Sequence, residues 1–195
     1  MVDNCLQILQ ECKPITTKRL VLREFVLEDA PEIFKYASDQ EVVKFLTWEA
    51  KTTIEEVEDM IKNVYQASPT FFAITLDGKC IGSIDIRLKP AHEKASCGFV
   101  LAREHWNNGY MTETLTAILE LCFEKLELNR IEASHFFGND GSGKVMTKCG
   151  MQLEGVGKQQ EKVKGMFVDN IFYAITRQYW KSFTTTKTLR SQGLL

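Results

Sequence analysis

The segment with the clearest chemical meaning joins an apolar run, residues 97–101, to an amphipathic helix through residues 106–113. Gly109 lies in the joining loop, and apolar residues then recur over residues 115–126 at the spacing of one buried helix face. A strand, a short loop and a helix start leave several backbone N–H groups unpaired at one point. These groups and the helix dipole predict an anion site suited to a phosphate or pyrophosphate. A plain strand–helix connection with a glycine for turn geometry is the alternative interpretation.

The elements that must position this loop are strands and helices in mixed order. Alternating or continuous apolar runs predict strands at residues 19–25, 71–76, 79–86, 95–101, 129–136, 151–156 and 167–175. Helical spacing and capping signals predict helices within residues 1–14, from residue 29, over residues 54–64, from the Gly109 loop to residue 126, and over residues 142–149. The chain contains no repeats and no linker, so the pattern predicts one mixed α/β domain.

Two short signals fix local geometry within this pattern. Asp77-Gly78 separates two strand-like runs and tolerates the positive φ angles of a tight primed turn, so it predicts a β-hairpin. Thr53 and Glu56 have the spacing of a capping box and predict a helix that begins at Ile54.

Composition excludes several classes of protein. The 195 residues suit one domain with a core, and the formal net charge of −2 supplies no broad basic field for nucleic acid. No apolar run approaches the roughly 20 residues of a membrane span, and the first residues show no secretory signal. The six cysteines form no CxxC pair and no metal spacing, and Cys97 and Cys122 are expected to be buried, reduced thiols. A cytoplasmic location is expected.

Separated segments from residue 17 to residue 180 form an ordered set of motifs. They are residues 17–23, 27–30, 106–115, 128–133, 139–151, 153–155, 168–169 and 177–180. The set resembles the GNAT superfamily of acetyl-CoA-dependent N-acetyltransferases, and within it the RimJ/RimL branch that acetylates the N-terminal amine of ribosomal proteins. The resemblance implies a mostly antiparallel sheet that is splayed at the cofactor site and flanked by helices. It also implies an N-acetyltransferase domain at residues 17–182, an N-terminal extension at 1–16 and a mobile C-terminal tail at 183–195.

The same resemblance implies how acetyl-CoA is bound, with no metal. The family loop is written Gln/Arg-x-x-Gly-x-Gly/Ala, and Trp106 and Met111 depart from it at the first and last positions. Backbone N–H groups of the loop would hold the pyrophosphate, from Asn107, Asn108, Gly109, Tyr110, Met111 and Thr112. The pantetheine arm would pair with the backbone of Phe99, Val100 and Leu101 and contact Asn139, with Ser142 near the thiol. An ordinary buried strand and helix-capping roles for Asn139 and Ser142 are the alternatives.

The catalytic groups implied by the resemblance are sparser. Met146 stands where many relatives carry a tyrosine acid, and Ser142 is the candidate proton donor in its place. Glu113 and His135 are the candidate bases, together with Asp85. A first-turn glutamate that favours the helix dipole explains Glu113 equally well, and a packed strand residue explains His135.

The acceptor implied by the resemblance is a primary amine, first of all the N-terminal α-amine of a protein such as a ribosomal protein. A small amine is the alternative acceptor, namely a polyamine, an amino acid or an aminoglycoside. A non-catalytic acyl-CoA sensor is a third interpretation, because Met146 and Ser96 stand where proton-transfer residues are common. No nucleic acid or membrane partner is expected, and a homodimer is left open.

Overall fold

Eight strands in residues 2–192, the part of the chain that this computed structural model describes, form one sheet. The strands are β1 (Ile15–Thr16), β2 (Val21–Arg23), β3 (Phe71–Leu76), β4 (Lys79–Lys89), β5 (Lys94–Leu101), β6 (Arg130–Phe136), β7 (Gln152–Val163) and β8 (Met166–Thr176). Their order across the sheet is β1-β2-β3-β4-β5-β6-β8-β7. Each predicted strand is present, and the short β1 is an additional strand at one edge.

The sheet splits at its centre. All neighbouring strands are antiparallel except β5 and β6, which pair in parallel only as far as Cys97 opposite Ala133. Beyond that point β5 continues on β4 to Leu101, and β6 continues on β8 to Phe136. The two strands therefore separate and leave a gap, which confirms the mostly antiparallel, splayed sheet.

Seven helices flank the sheet in the described residues. They are α1 (Val2–Glu11), α2 (Ala30–Ala37), α3 (Gln40–Val43), α4 (Ile54–Met60), α5 (Tyr110–Glu120), α6 (Asp140–Lys148) and α7 (Arg177–Ser191). A π-helical turn extends α4 over Ile61–Tyr65, and another extends α5 over Leu121–Lys125. Helices were predicted at α1, α2, α4, α5 and α6, and residue 1 of the first prediction lies outside the described residues.

Two hydrophobic cores hold these helices against the sheet. One core combines Leu9 of α1, Leu115 of α5 and Met146 of α6, with Trp180 of α7 packed against it. The other combines residues of α2, α4 and β3, including Ile33, Val57 and Ala73. The apolar stripe predicted over residues 115–126 is buried along its length. The periodic pattern therefore identified the face of α5 that packs.

The short signals are confirmed with one difference in detail. Asp77 and Gly78 have φ angles of 49° and 81°, as the tight hairpin turn between β3 and β4 requires. The Thr53 hydroxyl accepts the N–H of Glu56 at 3.4 Å. The Glu56 carboxylate accepts the N–H of Thr52 at 2.8 Å, one residue before the expected partner.

The C-terminal part of the chain contains more strand and helix than the sequence predicts. β7 and β8 are longer than expected and join at a turn where Lys164 and Gly165 have φ angles of 50° and 82°. Residues 183–191, expected to belong to a tail, lie in α7. Trp180 explains why the helix forms, because its ring contacts Phe123 at 6.0 Å and its indole N–H donates to the Leu119 carbonyl. Residues 193–195 lie outside the described residues.

The six cysteines are free thiols, and all of them except the partly exposed Cys12 are buried, as expected for Cys97 and Cys122. Burial raises the pKa of the Cys97 thiol to about 12, so this side chain is neutral and acts as a small apolar group. Among residues 2–192, no helix combines the length and apolar character needed to cross a membrane.

Candidate active site

The gap between β5 and β6 exposes unpaired backbone groups. The Ala102 N–H donates to the Ile81 carbonyl at 2.8 Å, and bonds across an antiparallel pair fall on every second residue. Val100 therefore directs its N–H and C=O toward β4, whereas Phe99 and Leu101 direct theirs into the gap. The Leu101 carbonyl accepts the Trp106 indole N–H at 2.8 Å. The Phe99 N–H and C=O and the Leu101 N–H remain for another partner.

The loop that follows β5 presents a second set of unpaired donors. Within the described residues, none of the six N–H groups from 107 to 112 has a hydrogen-bond acceptor in the protein. Asn107 and Gly109 have φ angles of 61° and 80°, and Gly109 is the N-cap of α5. Positive φ angles and a helix start place successive N–H groups side by side, the arrangement that binds phosphate groups.

Arg19 fixes this loop from outside. Its Nε lies 2.7 Å from Glu113 Oε2, its Nη1 donates to the Asn108 carbonyl at 3.0 Å, and its guanidinium lies 4.4 Å from the Tyr110 ring centre. Glu113 Oε1 also accepts the Thr17 hydroxyl at 2.7 Å and the Arg19 N–H at 2.8 Å. These contacts join the segment before β2 to the first turn of α5.

The contacts of the Glu113 carboxylate described above all come from Thr17 and Arg19. Glu113 does not line the cleft that lies between the splayed strands and α4. Partial burial acts to raise the pKa of its carboxyl, but hydrogen bonds from Thr17 and Arg19 outweigh burial and the pKa lies below its ordinary value. A carboxylate held in this way is a poor proton acceptor, so the geometry favours a loop-positioning role for Glu113 over the predicted role of base.

Asn139 and Ser142 lie where α6 begins, and both line the cleft. The Asn139 side chain caps the helix by accepting the Ser142 N–H at 3.4 Å, which leaves its amide N–H groups available. The Ser142 hydroxyl makes no hydrogen bond within the described residues. Met146, one turn further along, is fully buried in the core. A proton donor at the position of the family tyrosine is therefore excluded in this chain.

His135 lies on β6 at the edge of the cleft and is 7% exposed. Its Nδ1 is 2.9 Å from the Phe136 carbonyl oxygen, so Nδ1 carries the proton and Nε2 is an acceptor. The ring stacks on Tyr173 at a centroid distance of 5.7 Å. A Cβ on Gly143 would come within 2.8 Å of Nε2, so this glycine permits α6 to pack against the histidine. Neither Tyr173 nor Gly143 carried a recognisable signal in the sequence.

A cleft of about 760 Å³ opens between the splayed strands and α4. Asp85 and Arg87 form an ion pair at 2.7 Å on its floor. A Cβ on Gly98 would lie 2.6 Å from Asp85 Oδ1 and would also meet Arg87, so the glycine leaves room for the pair. Burial raises the pKa of Asp85 and the Arg87 charge opposes the increase. The cleft thus places a carboxylate next to Gly98 of β5, the residue before Phe99.

The structure brings five of the thirteen predicted site residues together in one cleft. They are Phe99, Val100, His135, Asn139 and Ser142. The loop residues 107–112 follow β5 in the chain after the short 3-10 turn Arg103–His105. The sequence did not single out Asp59, Glu161 or Asn170, which also line the cleft. Their elements meet only in the folded chain, so local patterns could not identify them.

The family of the chain follows from comparison with known proteins. The family model for the acetyltransferase (GNAT) domain matches residues 19–152. The N-acetyltransferase p20 of Bacillus licheniformis is 31% identical over 84% of this chain and 96% of its own length. YnaD, an N-acetyltransferase of Bacillus subtilis, is 34% identical over 85% and 98%. A GNAT-family acetyltransferase structure from Bacillus anthracis has a TM-score of 0.78 and 28% identity, covering 85% of this chain and 99% of its own. Sequence and fold agree that the chain belongs to the GNAT family of N-acetyltransferases.

Proposed function

We propose that this protein transfers the acetyl group of acetyl-CoA to the α-amine at the N-terminus of a protein. The observation that carries the proposal is the combination, in one stretch of chain, of the unpaired N–H groups of residues 107–112 with the free edge of β5, whose Phe99 lines the cleft. The loop suits a pyrophosphate, and the cleft admits an amine. The Gly109 loop and the strand edge are therefore assigned to one cosubstrate.

The residues that would hold acetyl-CoA fall into three groups. The N–H groups of residues 107–112 bind the pyrophosphate, with Arg19 keeping the loop in shape. Phe99 and Leu101 pair with the pantetheine arm as a strand partner would, because Val100 is already paired with β4. The amide N–H groups of Asn139 are free to donate to the same arm. When bound, acetyl-CoA supplies the activated acetyl group.

The proton steps need little dedicated machinery. An α-amine has a pKa of about 8, so a substantial fraction is neutral near pH 7–8. His135 Nε2 and Asp85, which line the cleft with Phe99, are the proposed acceptors of the remaining proton, directly or through water. An N–H of Phe99 or Leu101 stabilises negative charge that develops on the carbonyl oxygen. Ser142 donates a proton toward the departing sulfur.

Two further relatives support an α-amine as acceptor. The enzyme from Escherichia coli that acetylates alanine of ribosomal protein uS5 is 26% identical over 83 residues. The L-amino acid N-acetyltransferase AaaT of the same organism is 28% identical over 102 residues. An amino acid and an N-terminal alanine share the α-amine. AaaT therefore also motivates the second candidate function, acetylation of free amino acids.

An acceptor screen tests the proposal. Release of coenzyme A is measured with acetyl-CoA and short peptides that have a free N-terminus, and then with amino acids, polyamines and aminoglycosides. We expect turnover with peptides to exceed turnover with each small amine. Turnover with small amines alone would overturn the N-terminal assignment. Tight acetyl-CoA binding without turnover in either panel would favour a non-catalytic sensor.

A further inference from the structure

Asn170 is a buried side chain whose hydrogen bonds are incomplete. It is 2% exposed, lies on β8 opposite Phe136 and lines the cleft. Its Nδ2 donates to Glu161 Oε1 at 2.8 Å, while its Oδ1 has no partner within the described residues. Leaving a buried carbonyl oxygen without a donor costs free energy, and most such groups in folded proteins are satisfied. Because Asn170 lines the cleft, a donor group bound there can supply the missing hydrogen bond.

The carboxylate beside Asn170 is fixed in place by an irregular stretch of β7. Pairing with β8 moves from Gly157 opposite Asn170 directly to Glu161 opposite Val168. Asp169 holds the extra residues, because its carboxylate accepts the Gln159 N–H at 2.9 Å and the Lys158 amine at 2.7 Å. This bulge sets the position at which Glu161 meets the cleft.

The end of the same hairpin is tied to the other side of the cleft. The Lys164 amine donates to the Val43 carbonyl of α3 at 2.8 Å, and Val163 beside it is buried. The hairpin that carries Glu161 is therefore anchored to α3 near its turn. Asn170 and Glu161 form a preorganised pair of acceptors, with oxygen atoms from an amide and a carboxylate.

The opposite wall adds negative charge. Glu56 and Asp59 lie one turn apart on α4 and both line the cleft. The floor carboxylate of Asp85 is paired with Arg87, but neither Asp59 nor Glu161 has an ion-pair partner in the described residues. Two carboxylates without an ion-pair partner therefore face the cleft from different elements, and the four lining carboxylates outnumber the two lining cations, Lys51 and Arg87. Such an arrangement favours a cation between them.

We propose that Glu161, Asn170 and Asp59 bind the side chain of an arginine close to the N-terminus of the acceptor peptide. The inference rests on the proposed function, which places the reacting α-amine beside β5. A guanidinium has five N–H donors in a rigid plane, enough for the Glu161 carboxylate and the Asn170 oxygen together. The site therefore selects the acceptor by a second positive charge.

Matched peptides test the inference. Each peptide starts with alanine and carries either arginine or its neutral isostere citrulline at the second or third position. kcat/KM is measured for the wild type, Glu161→Gln and the control Glu124→Gln, an exposed residue away from the cleft. We expect the wild type to prefer one arginine peptide by about fivefold, the effect of an exposed ion pair of about 1 kcal/mol. Glu161→Gln removes the preference, and Glu124→Gln keeps it.

Two further variants keep the result decisive if Glu161→Gln does not fold. Asp59→Asn changes a different element and should reduce the preference for arginine, and Asn170→Leu should reduce it as well. Equal rates for arginine and citrulline peptides in the wild type would overturn this inference and leave the proposed function intact. Acetylation of neither peptide, with turnover of polyamines or amino acids, would overturn the proposed function and this inference with it.

Discussion

Ser142 is the residue whose side chain is free to act on the leaving group. It lines the cleft at the start of α6, and its hydroxyl has no partner within the described residues. We expect Ser142→Ala to lower kcat by about tenfold or more and to change the KM for acetyl-CoA less than twofold, because the interaction is made mainly in the transition state. Steady-state kinetics measure both constants.

Ser182→Ala is the matched control, since Ser182 lies on α7 and its hydroxyl bonds only the Tyr179 carbonyl. A loss at Ser142 that appears only in KM would assign the residue to positioning or capping. Neither Ser142 nor Met146, which occupies the position of the family tyrosine, would then take part in proton transfer.

Glu113 gives a prediction with a defined pH dependence. Its folded-state pKa lies below the ordinary value, so its contribution to stability is present above about pH 4.3 and is lost as pH falls through the lowered value. Arg19 is 40% exposed, and solvent screening limits the contribution to about 1 kcal/mol. We expect Glu113→Gln to be less stable by this amount at pH 7 and the difference to shrink below about pH 4.

Urea unfolding of the wild type and Glu113→Gln at pH 7, 5 and 3.5 checks this expectation. Glu124→Gln is the control, because the Glu124 carboxylate has no partner among the described residues. A stability difference that stays constant over this range would show that the Arg19 pair does not depend on the charge of Glu113.

Individual residues show which contacts local sequence patterns can and cannot predict. Asn139 and Ser142 were identified because they follow one another in a local motif. Glu113 was assigned to catalysis or to the helix dipole, whereas its partner Arg19 is 94 positions earlier in the chain. A contact over this separation leaves no periodic pattern, so local rules could not reveal it.

The loop before α5 is the element whose conformation decides cofactor binding. Gly109 has a φ angle of 80°, and a Cβ there would lie 3.5 Å from Arg19 Nη2, an ordinary contact. Backbone conformation rather than space therefore requires glycine. We expect Gly109→Val to rearrange the N–H groups of residues 107–112 and to weaken acetyl-CoA binding at least tenfold in calorimetry.

Gly78→Val is the matched control, because Gly78 has a φ angle of 81° and no atom lies within 4 Å of a Cβ at that position. It introduces the same backbone strain in the β3–β4 turn, and its affinity for acetyl-CoA should be unchanged. Unchanged affinity in a folded Gly109→Val protein would place the pyrophosphate elsewhere.

The elements that sequence reasoning missed are polar ones. α7 carries Thr184, Thr185 and Thr186 in succession, residues with low intrinsic helix propensity. Their hydroxyls donate to backbone carbonyls one turn earlier, and Trp180 anchors the helix on the core. Tertiary packing therefore outweighs local propensity here, whereas the β7 prediction located the strand and underestimated its length.

At the scale of the whole molecule, the order of strands and helices was predictable because each carries its own apolar period. The gap in the sheet was expected only through resemblance to a family. Its position depends on where the pairing of β5 with β6 stops, at Cys97 and Ala133, which are 36 residues apart in the chain. The cleft likewise combines α4, β4 and the β7–β8 hairpin. Acceptor-binding residues from such distant elements become visible only after folding.

The residues that line the cleft lead to a prediction about which nitrogen is acetylated. It offers His135 and Asp85 as proton acceptors but neither a tyrosine acid nor a strand glutamate at the family positions. Such a site should favour an amine that is already neutral. The pKa of an α-amine is about 8 and that of a lysine side chain about 10.4, so the neutral fraction near pH 7 differs by more than about a hundredfold.

In a peptide that carries both amines, we expect acetylation on the N-terminal nitrogen, at a rate that rises with pH up to about pH 8 as the α-amine loses its proton. Tandem mass spectrometry of the products assigns the modified nitrogen, and the same peptide with a blocked N-terminus is the control. Predominant lysine acetylation would overturn the α-amine assignment, because it would require the cleft to deprotonate a far more basic nitrogen. A rate independent of pH between 6 and 8 would show that loss of the amine proton does not limit turnover.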